Sequence, residues 1–371
     1  MARKIDFFIS NARHHWQVVE RVSTLLAERG HDCRVISLCE LRGEQTPVAS
    51  SGLVPVHAVI DRDLTRSRAV IGRSSTTGVV RRFLRQIAWY VRLAPRLSQM
   101  LRTRRPDIAV LPNDLAYPFD RIVKMLFRIR VRWALYQEGI LFPLPPSALR
   151  PYGAGGADAI AAWGESAAGY FIENAEASAK TVHPVGSPRH DNFDRAQFEE
   201  EAALLRREVP HGHKLLVFFG TTVDKPGGHC TTAEKLESIE QFAQSLAPLV
   251  DTHPFELWVK PHAGENAADY VDLLRRSPIC DHAEVRRELS TFPAVVASDA
   301  VIMNGSSIGL EALVLGARVG VIPVPRTGYP FDYATSGVHV PIPATGGANE
   351  IRKLLTWSVD DHASAAYLEK H

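Results

Sequence analysis

Short apolar runs recur along this chain, each closed by a small or polar break and followed by a longer segment of mixed character. Apolar runs of that length fit strands buried on both faces of a parallel sheet, and the segments between them fit helices. Residues 299–324, D-A-V-I-M-N-G-S-S-I-G-L-E-A-L-V-L-G-A-R-V-G-V-I-P-V, show the pattern most fully. Residues 300–303 read as a buried strand, Asn304-Gly305-Ser306-Ser307 as a turn, and 308–315 as a helix stopped by Gly316. Residues 319–324 read as the next strand, closed by Pro325.

The same grammar opens the chain. Residues 4–10 read as a strand, Asn11-Ala12-Arg13-His14-His15 as a loop, 16–29 as a helix ended by Gly30, and 34–38 as a strand. This βαβ start predicts a parallel sheet. Strands are expected at 108–111, 131–136, 157–163 and 182–185, with helices following the first and third of these. A charged helix is expected over 195–208, broken at Pro210-His211-Gly212. A second series then begins: strand 214–219, helix 232–249, strand 256–259, strand 282–285, helix 291–298, the stretch 299–324, strand 337–340 and helix 349–357. The boundary between the two series falls between Gly186 and His213, giving domains 1–187 and 188–371. Residues 43–80 carry no clear pattern.

Composition narrows the class. With 371 residues, 45% hydrophobic and 23% charged, the chain reads as a soluble globular protein of two domains. A net charge of +2 gives no nucleic-acid footprint. Cys33, Cys39, Cys230 and Cys280 have no metal spacing and fit reduced thiols in a cytoplasm. No apolar leader and no run long enough to span a bilayer are seen, so a cytoplasmic location is expected. Residues 81–105 hold eight arginines and no acid, with Phe83, Ile87, Ala88, Val91 and Leu93 forming an apolar stripe beside Trp89 and Tyr90. Such a helix can lie on the inner membrane face as a peripheral contact, or pack normally with a solvated arginine face; Pro95 interrupts the stripe and favours the second reading.

Candidate chemistry gathers at expected strand ends, where parallel sheets bind ligands. Gln137-Glu138-Gly139 supplies a carboxylate in the first half. Lys260-Pro261-His262 supplies a cation and an imidazole in the second, and Asn304-Gly305-Ser306-Ser307 supplies hydroxyls and a helix start. Gly220-Thr221-Thr222 ends another strand, and Glu311 sits one turn into its helix, where it could accept bonds from a ribose diol. Asn11, His15 and Asp114 lie in first-half loops and read as acceptor-binding groups. A base opposite phosphate-binding groups is what transfer from a nucleotide sugar needs. The glycine fingerprint of a dinucleotide fold is absent after the first strand, which argues against a dehydrogenase. Asp61-Arg62-Asp63 has the form of a metal-binding D-x-D, but no second acidic cluster supports it, and it reads as a loop. No metal and no cofactor is therefore expected, only a nucleotide sugar as co-substrate.

These tripeptides, in this order, resemble those of GT-B glycosyltransferases: α/β proteins with two Rossmann-like domains whose parallel sheets face a central cleft. The resemblance is nearest to bacterial sialyltransferases, polysialyltransferases and Kdo-type capsule transferases, which carry acidic-Gly, His-Pro-type and Ser-Ser motifs. Gly186-Ser187-Pro188-Arg189 and the Lys-Pro-His also resemble CDP-glycerol glycerophosphotransferases. The resemblance implies an N-terminal acceptor domain and a C-terminal donor domain. It makes Glu138 the general base and His262 the group on the donor phosphate or leaving group. It makes Ser306 and Ser307 the binders of the donor phosphate; Gly220, Thr221, Thr222, Lys260, Asn304, Gly305 and Glu311 are read as donor-binding from their places at strand ends and the helix start, with a glycan or small molecule as acceptor. The chain departs from the pattern at Gln137, where the motif has an acid, and at Ala263, where proline would follow His262. The alternatives are a UDP-sugar 2-epimerase and a non-catalytic nucleotide-sugar-binding protein.

Overall fold

The computed structural model describes residues 1–59, 89–141, 150–191, 193–224, 228–329, 332–356 and 361–370. They form two compact units: residues 1–138 with 150–191, and residues 192–371 together with the described residues 139–141. None of the four cysteines is in a disulfide, and among the described residues no helix is long and apolar enough to cross a membrane.

The first unit is built on strands β1 (Lys4–Ile9), β2 (Asp32–Ser37), β3 (Val56–Ala58), β4 (Ile108–Leu111), β5 (Arg132–Tyr136), β6 (Ala159–Ala162) and β7 (Val182–Pro184). All pairings are parallel, in the order β3-β2-β1-β4-β5-β6-β7. Its helices are α1 (His14–Glu28), α2 (Ala94–Arg104), α3 (Phe119–Ile129) and α4 (Glu165–Glu173). Phe7, Phe8, Ile9, Val35 and Ile36 are buried, as two-sided coverage requires. Asp6 is the polar exception inside β1. It is fully buried, yet Arg34 grips it in a fork at 2.9 and 2.8 Å and Arg104 adds a third bond at 2.9 Å.

The second unit holds α5 (Glu199–Arg207), β8 (Lys214–Phe219), α6 (Thr232–Leu246), β9 (Phe255–Lys260), α7 (Ala267–Arg275), β10 (Ala283–Val285), α8 (Thr291–Ala297), β11 (Ala300–Met303), α9 (Ile308–Val314), β12 (Val319–Val321), β13 (His339–Pro341), α10 (Ala348–Thr356) and α11 (Asp361–Lys370). The parallel order is β10-β9-β8-β11-β12-β13. Leu216, Phe218, Leu257, Val259, Ala300 and Ile302 form its core with Phe242 and Leu246 of α6.

Both sheets thus wind outward from their first strand, then cross over to the other side. The reversal lies between β1 and β4 in the first unit and between β8 and β11 in the second. At such a switch point the loops leave in opposite directions and open a crevice at the strands' carboxyl ends.

Local differences from the sequence reading have plain causes. The helix expected over 232–249 is α-helical only to Leu246; Pro248, with no N–H to donate, turns Ala247–Leu249 into a 3-10 segment. The helix expected over 195–208 opens as a 3-10 turn, Arg195–Phe198, capped by Asp194. Residues 43–80, unread in the sequence, include strand β3. Of the arginine-rich stretch, Phe83, Ile87 and Ala88 lie outside the described residues, as do Asp61 and Asp63. The remainder is a π-helical turn, Trp89–Leu93, running into α2 with Pro95 in the first turn, where its missing N–H costs little.

Candidate active site

In the first unit, three loops converge at the switch point. His15 begins α1 after β1, Asn113 follows β4, and Glu138 follows β5. His15 Nε2 lies 2.9 Å from Glu138 Oε2, and Asn113 Nδ2 donates to Oε1 at 2.8 Å. The imidazole's tautomer follows from its other nitrogen. His15 Nδ1 accepts the Ser10 N–H at 3.1 Å, so it carries no proton, and the ring is neutral with Nε2–H donating to Glu138. Burial pushes the Glu138 carboxyl up, but the hydrogen bonds from His15 and Asn113 outweigh it and hold it below the ordinary range. The carboxylate is therefore ionised at neutral pH. Its side chain keeps 31% of its surface exposed, so a ligand can reach it.

The surroundings fix this carboxylate further. His14 Nε2 donates to the Glu138 carbonyl at 2.5 Å. Burial, then the Arg189 cation, push the His14 imidazole down, which keeps it neutral. The Tyr152 hydroxyl lies 2.9 Å from the Pro112 carbonyl and 3.1 Å from the Tyr136 carbonyl, clamping the ends of β4 and β5. Gln137, which replaces an acid in the motif, is buried and serves the next strand. Its Oε1 accepts the Trp163 N–H and its carbonyl accepts the indole N–H, both at 2.8 Å. Asn11 Oδ1 accepts the Arg13 and His14 amides, which starts α1. Asp114 is fully buried and accepts the Gly153 N–H at 3.1 Å. Burial pushes its carboxyl up against that bond, so it anchors the 150–156 loop from within.

In the second unit, Gly220, His262 and Asn304 follow β8, β9 and β11. His262 Nδ1 accepts the Gly264 N–H at 3.0 Å, so the neutral ring carries its proton on Nε2, and the side chain is exposed. Thr222 lies beside this loop: a Cβ on Gly264 would stand 3.2 Å from Thr222 Cγ2 and 3.4 Å from His262 Nδ1. Asn304 is 1% exposed, and neither of its amide atoms has a hydrogen-bond partner among the described residues. The same holds for the buried Thr221 hydroxyl. Buried polar atoms without a partner are costly, and these lie at strand ends beside the switch point.

The loop after β11 is more specialised than a helix start. Gly305 has φ +120°, which favours glycine, and its N–H and that of Ser306 turn inward to the Met303 sulfur at 3.2 and 3.4 Å. The Ile308 N–H bonds the Ser306 hydroxyl oxygen. Ser306 and Ser307 therefore offer a ligand their hydroxyl donors rather than the Gly305 and Ser306 amides. Lys260 Nζ donates to the Arg287 carbonyl at 3.1 Å, and burial lowers its ammonium. Glu311 is 3% exposed and lies near Tyr333, whose phenol is pushed up by burial and then by Glu311.

Beneath these loops lies a buried charge network that the sequence reading missed. Lys235 of α6 bonds Asp224 Oδ1 and Glu265 Oε1, each at 2.7 Å. Tyr270 OH donates to Glu265 Oε1 at 2.8 Å, and the His262 amide donates to Oε2 at 2.6 Å. A Cβ on Gly220 would fall 2.2 Å from that same Oε2, so only glycine fits there. Glu265 thereby ties the loop after β9 to α6, and Lys235 carries the link on to Asp224 in the loop after β8. Burial lowers the Lys235 ammonium's preference for charge, but the bonds to Asp224 and Glu265 more than restore it. Glu265's place three residues after His262, just before a helix capped by Asn266, was the only local sign of it.

No protein-family model matches the chain, and no curated protein matches it. Solved structures do match. A putative UDP-N-acetylglucosamine 2-epimerase from Listeria monocytogenes is 11% identical, over 100% of this chain and 92% of that one, with a TM-score of 0.64. The UDP-GlcNAc 2-epimerase from Neisseria meningitidis, bound to UDP-GlcNAc, is 13% identical over 100% and 94%, with a TM-score of 0.62. A glycosyltransferase from Rickettsia africae is 10% identical over 100% and 93%, with a TM-score of 0.59. At these identities the likeness concerns the fold, and the fold is GT-B: two Rossmann-like halves, each with its own parallel sheet. Glycosyltransferases and 2-epimerases both share it.

Proposed function

We propose that this chain is a glycosyltransferase that moves a sugar from a nucleotide-activated donor to an acceptor hydroxyl without a metal ion. The observation that carries this reading is Glu138. It is a reachable carboxylate at a switch point, held ionised by two aimed donors. In this reading Glu138 takes the acceptor's hydroxyl proton as the acceptor oxygen bonds to the anomeric carbon. The bond from that carbon to the nucleotide's phosphate oxygen breaks, and the electron pair leaves on the phosphate. His262 Nε2–H and the hydroxyls of Ser306 and Ser307 stabilise that charge. Asn304 and Thr221 pair with the donor through their buried polar atoms. His15 positions the base rather than touching the acceptor. Asp114, whose carboxylate turns inward to the Gly153 amide, and Glu311, which lies against Tyr333, are left out of the ligand-contacting set.

A UDP-sugar is the donor to try first, since solved structures of this fold are described with UDP and UDP-GlcNAc. A CMP-linked acid sugar follows, on the strength of the acidic-Gly and Ser-Ser motifs. The same neighbours favour a second reading, a UDP-sugar 2-epimerase, which needs no acceptor. NMR of the enzyme with UDP-GlcNAc alone separates the two. The transferase reading expects no epimer without acceptor; a C2 epimer appearing under those conditions overturns it. A thermal-shift screen of CMP, CDP, UDP and GDP names the base.

A further inference from the structure

A second feature of the first unit lies apart from the strand ends. A pocket of about 300 Å³ opens between α2 and α3, lined by Trp89, Ser98, Arg102, Arg121, Lys124, Met125, Arg128 and Ile129, with Ala94 and Pro95 at its edge. None of these residues belongs to the Glu138 cluster. On α3, Arg121, Lys124, Met125, Arg128 and Ile129 recur at helical spacing and form one stripe. The opposite stripe, Phe119, Ile122, Val123 and Leu126, is buried against the sheet. On α2, Ser98 and Arg102 are one turn apart on the side that faces the pocket.

This arrangement is electrostatically costly when empty of anions. Arg121, Lys124 and Arg128 are like charges stacked at three- and four-residue spacing, which destabilises a helix. Arg121 pairs with Asp120 at 3.3 Å. Among the described residues no ion pair engages Arg102, Lys124 or Arg128, and no acid lines the pocket. Trp89, Met125, Ile129 and Pro95 supply apolar surface beside the cations. We propose that this pocket binds a phosphate ester carrying an apolar group, with the phosphate among Arg102, Lys124 and Arg128 and the apolar group against Trp89, Met125 and Ile129. Both a lipid headgroup and a soluble phosphate ester have this chemistry. The inference stands whatever reaction the strand-end residues perform.

The test uses the full chain and the variant R102A/K124A/R128A, whose three side chains are exposed and outside the core. Titration calorimetry with inorganic phosphate and with decyl phosphate is run beside pelleting with vesicles of phosphatidylglycerol and phosphatidylcholine, and of phosphatidylcholine alone. Wild type should bind decyl phosphate more tightly than inorganic phosphate, and rising salt should weaken both. The variant should lose roughly tenfold or more in affinity, as removal of three exposed charge contacts implies. Pelleting with the anionic vesicles only, lost in the variant, assigns the lipid headgroup. Binding of decyl phosphate without pelleting assigns a soluble ester. Binding by the variant equal to wild type, or no binding of any probe, overturns the proposal.

Discussion

His15 Nε2 stands 2.9 Å from Glu138 Oε2, joining the start of α1 to the loop after the fifth strand, 123 residues on. Because His15 Nδ1 is occupied by the Ser10 amide, the proton between the two residues starts on the imidazole. The pair is a neutral donor aimed at a carboxylate, the arrangement that keeps a base both ionised and oriented.

Glu138→Gln keeps the shape and one acceptor oxygen but removes basicity. Turnover should fall by roughly 10² or more, the usual size of general-base assistance. Donor affinity, read by calorimetry, should stay near that of wild type, because the donor groups proposed here lie in the second unit. Near-normal turnover in this variant rules out Glu138 as the base.

Removing Asn113 tests why Glu138 titrates where it does. Glu138 must be ionised to act, and its carboxyl is held low against the upward push of burial. Asn113→Ala deletes one of the two donors, so the carboxyl should rise, since hydrogen bonds to the charged form are what lower it. The acid limb of kcat/KM against pH should move toward neutrality, while turnover well above it changes little. An unmoved limb means that another group controls it.

The sequence showed the strand ends but not what lies beneath them. That Glu138, His262 and Ser306 follow strands was legible because a buried parallel strand has an apolar pattern whose end can be read from the sequence. Glu265, Lys235, Asp224 and Tyr270 were not. A lysine in the first turn of a helix reads as a solvated residue, and only the tertiary fold brings Lys235 against two carboxylates and buries it to 2% exposure. Asp114 is the opposite case. It follows a strand as the ligand groups do, yet it turns inward to the Gly153 amide, a choice that depends on the 150–156 loop packing over it.

Glu265→Gln tests that network. A carboxamide has one acceptor oxygen, and it cannot serve both Lys235 with Tyr270 and the His262 amide. Breaking a buried pair in this way costs on the order of 3–5 kcal/mol. Donor KM should rise with the stability loss, and the acid limb set by Glu138 should not move. Tyr270→Phe deletes one hydrogen bond, about 1 kcal/mol, and should leave donor KM unchanged. Equal donor KM in wild type and Glu265→Gln removes Glu265 as a positioning residue.

The proposed transfer stabilises the leaving phosphate with His262 and two serine hydroxyls, so excess EDTA should leave the rate intact. Loss of activity restored by Mg²⁺ or Mn²⁺ would return Asp61 and Asp63 to consideration as ligands.

Acid stability should depend on Asp299, the residue that leads into β11. Its carboxylate accepts the Leu215 amide at 2.8 Å, Arg206 at 2.8 Å and Lys214 at 3.0 Å. Burial pushes its carboxyl up, but the Leu215 bond and the two cations outweigh that, and it sits below its ordinary value. A depressed carboxyl stabilises the fold fully above the unfolded value of about 3.9, and the contribution is lost as pH falls through the folded value beneath it. Asp299→Asn can still accept from Leu215 but holds neither cation, so at neutral pH it should cost about 1–2 kcal/mol. The difference from wild type, measured by urea midpoints, should persist from pH 7 down to about 4 and shrink below that as the wild-type carboxylate itself takes up a proton. A gap that is the same at pH 7 and at pH 3 would mean that the substitution acts through packing and not through the charge on Asp299.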